Sequence, residues 1–209
     1  MALYVLALTD TALGTWTAGA RRLHTADYGG IQVVYERRAA APPVSDDELR
    51  AQHALVVAIA ELAPAVLPAR FGSLVERSVL TASIRRHENS IRAALQQVRN
   101  HVQMTVRVVG ERPKRAPPAA TLSGREYLER AREAAIPPTT AAAERLLRAV
   151  RPLVATERSE HGAGRLLATV YHLVDVRHLE RYRKTVEAAP PGVIVSGPWP
   201  PFAFSPQLW

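Results

Sequence analysis

Cysteine is absent from this chain of 209 residues. That excludes disulfide staples, thiolate zinc sites and cysteine nucleophiles together, and it fits a reducing compartment. Lysine is almost absent as well. Only Lys114 and Lys184 occur, so the 27 basic residues behind the net charge of +8 are nearly all arginine. Aromatic residues make up 6% of the sequence, and the strand candidates lack the aromatic-rich motif with which a sheet stacks RNA bases. No apolar run approaches the ~20 residues needed to span a bilayer. The opening MALYVLALTD has no basic leader region, and its alternation predicts a strand instead of a signal peptide. A soluble, cytoplasmic protein is expected, with no membrane partner.

Motifs of chemistry are missing too. Neither GxGxxG nor GxxxxGK[ST] occurs, and no acidic loop suggests magnesium or calcium. The seven histidines (His24, His53, His87, His101, His161, His172 and His178) never fall in an HExxH or HxxxH pattern. RRHENS places His87, Glu88 and Asn89 side by side, but sequence neighbours on a helix do not share a face, so a solvated stretch is expected there. His172 and Asp175 lie on and just after a strand candidate, where structural hydrogen bonding is the expected role. The reading is therefore no enzyme, no cofactor, no metal and no catalytic residue.

What is present is an α+β pattern. Leu3 to Thr9 predicts a strand, followed by a polar connection through Thr25. GGIQVVYER predicts a second strand. Ser45 followed by Glu48 reads as a helix cap, with acidic residues at the positive end of the helix dipole and Pro64 as the stop. AVLPARFGSL reads as a short broken strand, VERSVLTASIRRHENSIRAALQQVRN as a long amphipathic helix, and HVQMTVRVVG as the strand that closes this half. One sheet with both helices on one face follows: a ferredoxin-like N-terminal α+β domain over 1–110. Residues 111–121, rich in proline and charge, predict a linker. Over 122–209 the pattern predicts a C-terminal α+β domain ending in a Pro/aromatic tail. Its helices are SGREYLERAREAAI, TTAAAERLLRAVRPLVATE and VRHLERYRKTVEAA; its strands are GRLLATVYHLVD and GVIVSG.

Several stretches resemble the gas vesicle protein F/L family (GvpF/GvpL). VLPARFGSLV, Val66 to Val75, is similar to the family's L-P-V-R-F-G-T-V signature, and SGPWPPFAF, Ser196 to Phe204, to its closing G-P-W-P-P-Y-S-F. SGREYLERARE, VYHLVDVRHLERYRKTV and QHALVVAIAEL, with His53, resemble other family segments in the same order. Departures are Ala69 for valine, Ser73 and Leu74 for Thr-Val, and Phe202 and Ala203 for Tyr-Ser. The resemblance implies two domains, the first ferredoxin-like, and a minor gas vesicle protein of nucleation or assembly, cytoplasmic and associated with the vesicle. It also implies binding to the small hydrophobic major shell protein, limiting its aggregation, and contacts with other accessory vesicle proteins. No nucleic-acid partner is expected, although the charge keeps a basic α+β nucleic-acid-binding protein as the alternative.

The residues singled out for protein binding or structure are Pro68, Arg70, Phe71 and Gly72, with Gly197, Pro198, Trp199, Pro200, Pro201, Phe202 and Phe204. Pro68 lacks an amide donor, so its strand must be an edge or bulged. Gly72 permits a tight turn, with Phe71 expected toward the core and Arg70 away from it. In the tail, prolines stiffen the backbone and lower the entropy cost of ordering it. Its three large rings are too apolar to leave wholly in water. A strap clamping the second domain and sealing it against the first is expected, with a partner-binding prong as the alternative and Trp209 as an exposed anchor.

Overall fold

In a computed structural model of the chain, residues 2–19, 21–111 and 137–208 are described. Their contacts gather into two units: Met1–Gln103 together with Pro198–Trp209, and Met104–Gly197. The tail thus groups with the first unit, where the sequence reading attached it to the second domain. All of the expected linker but Glu111, and the whole SGREYLERAREAAI helix, lie outside the described residues.

The first unit is built on β1 (Ala2–Thr9), β2 (Thr15–Ala18), β3 (Arg21–Tyr28), β4 (Ile31–Arg37), β5 (Val66–Pro68) and β6 (Leu74–Glu76). The sheet runs β2-β3-β4-β1-β5, and β6 also pairs with β1. Its pairings are antiparallel. Two of these strands, β2 and β3, replace the polar connection expected through Thr25. The double glycine explains why. Gly29 and Gly30 have φ of 68° and 88°, the conformation of a two-residue hairpin turn that glycine adopts at no steric cost. Tyr28 pairs with Ile31 across it. Asp27 locks the turn by accepting from the Gly30 amide at 2.8 Å and from Gln32 Nε2 at 2.6 Å. Those two bonds, the Gly30 amide first, hold the Asp27 carboxyl below its ordinary range.

Helix α1 (Asp46–Leu62) starts where the sequence predicts: Ser45 Oγ accepts from the Glu48 amide. Its buried Leu55 and Ile59 join Tyr4, Leu6, Leu23, Val34 and Val66 in one core. Helix α2 (Arg77–Val98) buries Leu80, Ile84, Ile91, Leu95 and Val98 and packs on β1, β5 and β6. It is broken at His87, whose φ and ψ are −112° and 15° and whose Nδ1 meets the Ser83 carbonyl at 3.0 Å. RRHENS is the solvated stretch expected, with Arg85, Arg86, Asn89 and Ser90 exposed, and it carries in addition a kink at His87. In β1, Leu3 to Thr9 are buried at every position. Consecutive burial requires cover on both faces of a strand, more than one helical layer provides.

The second sheet has the order β10-β7-β9-β8, from β7 (His101–Val109), β8 (Val154–His161), β9 (Leu166–Asp175) and β10 (Val193–Trp199). β7, expected to close the first sheet, instead lies between β10 and β9. Helices α3 (Ala141–Val150) and α4 (Leu179–Val186) complete the described part. Thr140 caps α3 by accepting from the Ala143 amide. The helix expected to run through RPLVATE stops at Val150. Pro152 follows in a short 3-10 turn, and Val154 onward is the edge strand β8, whose polar residues face solvent. The core of the second unit joins Val106, Val108, Ala143, Leu146, Leu167, Ala168, Val170 and Val193. The α+β class with two sheets therefore stands.

Candidate functional site

The two signature stretches meet in the first unit. VLPARFGSLV is not one strand but two, β5 and β6, both paired with the edge of β1. Between them Ala69 donates to the Leu6 carbonyl at 2.8 Å, and Val5 donates to the Ser73 carbonyl at 2.8 Å. The ladder therefore continues on either side while Arg70, Phe71 and Gly72 bulge outward. Pro68, opposite Ala7, ends β5 at the edge, where a missing amide donor costs least. Gly72 has φ of 83°, which a side chain would strain. Arg70 and Gly72 are exposed and Phe71 is half-buried. The expectation that Phe71 enters the core is corrected to that extent: the bulge lifts it to the rim.

A buried polar latch holds the bulge. Tyr4 donates its hydroxyl to Gln52 Oε1 and accepts from the Gly72 amide at 3.2 Å. Gln52 Nε2 donates to the Ala69 carbonyl at 3.3 Å. Ser73 Oγ closes the loop by donating to the Arg70 carbonyl at 2.7 Å. Burial raises the Tyr4 phenol above its ordinary range, against the Gly72 amide and Arg38, so it remains a neutral donor. The Arg38 guanidinium lies 4.9 Å from the Tyr4 ring centroid, a cation–π contact. Arg38 is held in turn by Glu36 at 2.8 Å, and Arg21 reaches Glu48 at 2.9 Å. Replacing Tyr4 by Phe is expected to cost about 1–3 kcal/mol, because it leaves Gln52 Oε1 and the Gly72 amide short of a buried partner. Urea denaturation of the variant checks this, and hydrogen exchange should rise at Gly72.

The tail packs beside the bulge. Gly197, at φ of 124°, and Pro198 lie in the edge strand β10, which tolerates proline. Pro200 and Pro201 are buried, and Phe204 is only 1% exposed. The 3-10 turn Phe202–Phe204 contacts β5. The Ala203 amide donates to Gln103 Oε1 at 2.8 Å, and Ser83 Oγ donates to the Leu208 carbonyl at 2.6 Å. His53 of α1 stands between two tail rings: Trp199 edge-on at 5.3 Å and Phe202 stacked at 5.7 Å. Trp199 and Phe202 each remain 37% exposed. These tail contacts all fall within the first unit. Trp209 lies outside the described residues.

A second polar constellation occurs in the other unit. His172 is wholly buried, its Nδ1 2.7 Å from the Tyr182 hydroxyl and its Nε2 3.2 Å from Glu157 Oε2. Burial pushes the Tyr182 phenol up, so it donates to Nδ1, and Nε2–H donates to the carboxylate. Both imidazole nitrogens are engaged within the protein. Sequence reasoning named His172 for structural hydrogen bonding but missed Glu157 and Tyr182, which are 15 and 10 residues away. Among the described residues no cluster of three His, Asp or Glu is arranged to hold a metal ion, and no helix is long and apolar enough to cross a membrane.

Comparison with known proteins is consistent with this arrangement. The crystal structure of the gas vesicle protein GvpF from Anabaena sp. PCC7120 is similar at a TM-score of 0.71 and 14% identity, over 99% of this chain and 98% of that one. The crystal structure of GvpF from Microcystis aeruginosa gives 0.71 and 12%, over 99% of each chain. At such identities the likeness carries the fold alone. No curated protein matches the sequence. The family model described as gas vesicle synthesis protein GvpL/GvpF matches residues 2–206. With both signatures in place and nearly the whole length matched, the chain belongs to the GvpL/GvpF family of gas vesicle synthesis proteins.

Proposed function

We propose that this chain, whose family is one of gas vesicle synthesis proteins, serves vesicle assembly by binding the small, hydrophobic major shell protein, limiting its aggregation, and acting alongside other accessory vesicle proteins at the growing vesicle in the cytoplasm. The role is non-enzymatic. A shell subunit whose partners have not yet arrived exposes apolar faces to water, and such faces aggregate unless something covers them. The observation that supports the reading is the tail. It anchors itself through Phe204 and leaves Trp199 and Phe202 partly exposed on His53. Rigid aromatic groups of this kind contribute contact area at low entropic cost. Arg70, Phe71 and Gly72 belong to the same proposal as the rim of that surface.

The test is a turbidity assay with purified shell protein diluted from denaturant, with and without this chain. Aggregation is expected to be delayed at near-stoichiometric ratios, and co-expression should yield a pull-down complex. Equal turbidity curves with and without the chain would rule out the holding role.

A further inference from the structure

We infer that the exposed tail rings and the outward face of α1 form a docking surface for a cationic amphipathic segment of a partner protein. This rests on the proposed function, and it names the surface and the chemistry of what docks there.

The apolar part comes first. Val44, 84% exposed, and Leu49, 42% exposed, accompany Trp199 and Phe202 among the large apolar residues left in water by the first unit. Leu49 and His53 are four residues apart on one helix, hence neighbours on one face. His53 carries Trp199 and Phe202. Leu49, the imidazole and the two rings are thus contiguous, which scattered surface hydrophobics are not.

Charge then selects the occupant. Helix α1 carries Asp46, Asp47, Glu48 and Glu61 against Arg50 alone, four acids to one base, a net of −3. The whole chain carries +8. Glu48 is spent on Arg21 and Arg38. Asp46, Asp47 and Glu61 are exposed, and Asp46 lies seven residues before His53, two turns along the same stripe. Acidic residues in a first turn are ordinary complements of the helix dipole, and by themselves they point to no ligand. Beside exposed aromatic faces they make a different surface, because a guanidinium or ammonium group gains from both the ring face and the carboxylates. An acidic segment or a nucleic acid is repelled by the same groups. Arg50, 3.9 Å from Asp46 and 3.6 Å from Asp47, is an internal competitor for the cation. These are exposed pairs, which are weak and readily exchanged.

The experiment uses the full chain immobilised on a sensor surface and two synthetic 18-residue amphipathic helices with identical leucine positions. One carries lysine at its polar positions and the other glutamate. A chain of net +8 repels cations on average, so preference for the lysine peptide must come from a local acidic surface. Binding of the lysine peptide is expected to be about tenfold tighter. The preference should fall away in Asp46→Asn/Asp47→Asn and weaken in Trp199→Ala. It should increase in Arg50→Ala, a gain that a folding defect does not produce. Circular dichroism melts confirm that the variants are folded. Equal binding of both peptides overturns the inference, as does a preference unchanged by the double variant and by Arg50→Ala. The turbidity assay separates the two levels. If the double variant holds shell protein as well as the wild type does, this surface is wrong and the holding role stands. If the wild type fails to hold it, the role itself is wrong, and the peptide preference is judged on its own arms.

Discussion

Phe204→Ala is expected to destabilise the protein by about 3–5 kcal/mol, the usual cost of truncating a fully buried phenylalanine. Phe204 lies five residues before the last residue of the sequence, where substitutions are normally tolerated because termini fray. Here the ring is 1% exposed, its turn packs on β5, and the neighbouring Ala203 amide is held by the buried Gln103. The loss should appear in the first unit, as faster hydrogen exchange in β5 and the bulge, and as a lower urea midpoint. Phe202→Ala and Trp199→Ala remove rings that are 37% exposed and should cost much less. A Phe204→Ala protein as stable as the wild type would mean that the tail contributes nothing to the fold.

The second large effect is a dependence on pH centred on His172. Burial lowers its pKa below the ordinary histidine value of 6.5, with Glu157 opposing. Above about pH 6.5 the imidazole is neutral in both the folded and the unfolded chain, and it contributes no slope. As pH falls through that value, the unfolded chain takes up a proton that the folded chain resists. Stability therefore declines toward acid, by at most about 1.4 kcal/mol per pH unit from this group. The decline ends once pH passes below the folded pKa. His172→Gln retains a neutral group able to bond Glu157 and does not titrate, so the difference in urea midpoint between wild type and variant should shrink as pH drops from 7 to 5. His24 is also lowered, by burial first and by Arg37 and Arg22 second. It is common to both proteins and cancels in the difference. A difference that stays flat over this range would show that His172 protonates equally well folded and unfolded.

The Tyr4 latch and the His172 chain share a design. Each joins side chains from separate elements, and in each the bonding partner is far along the sequence: Tyr4 and Gln52 are 48 residues apart, and Tyr4 and Gly72 are 68 apart. Buried polar groups of this kind are satisfied or they are costly. That makes them specify one arrangement of the strands around them, and in the first unit the arrangement specified is the outward bulge at Arg70.

Local signals in the sequence determined a good deal. The Ser45 cap, the apolar spacing of α1 and α2, the apolar and β-branched runs of β1, β4 and β9, and the two signature stretches depend on neighbours within a turn or a few residues, and they are legible as such. Tertiary structure alone decided the rest. β3 escaped notice because Arg21, Arg22, His24 and Asp27 make it read as a loop. Its charges are acceptable in a strand only because Glu48 lies across the fold to receive Arg21 and Gln32 lies across the hairpin to meet Asp27. β7 reads the same whichever sheet takes it, since an alternating strand does not encode its partner. The tail announced that it was stiff and apolar, but its side of attachment depended on Gln103, Ser83 and His53 arriving beside it. Periodicity fixes what an element is; which faces it meets depends on contacts between residues that only the folded chain brings together.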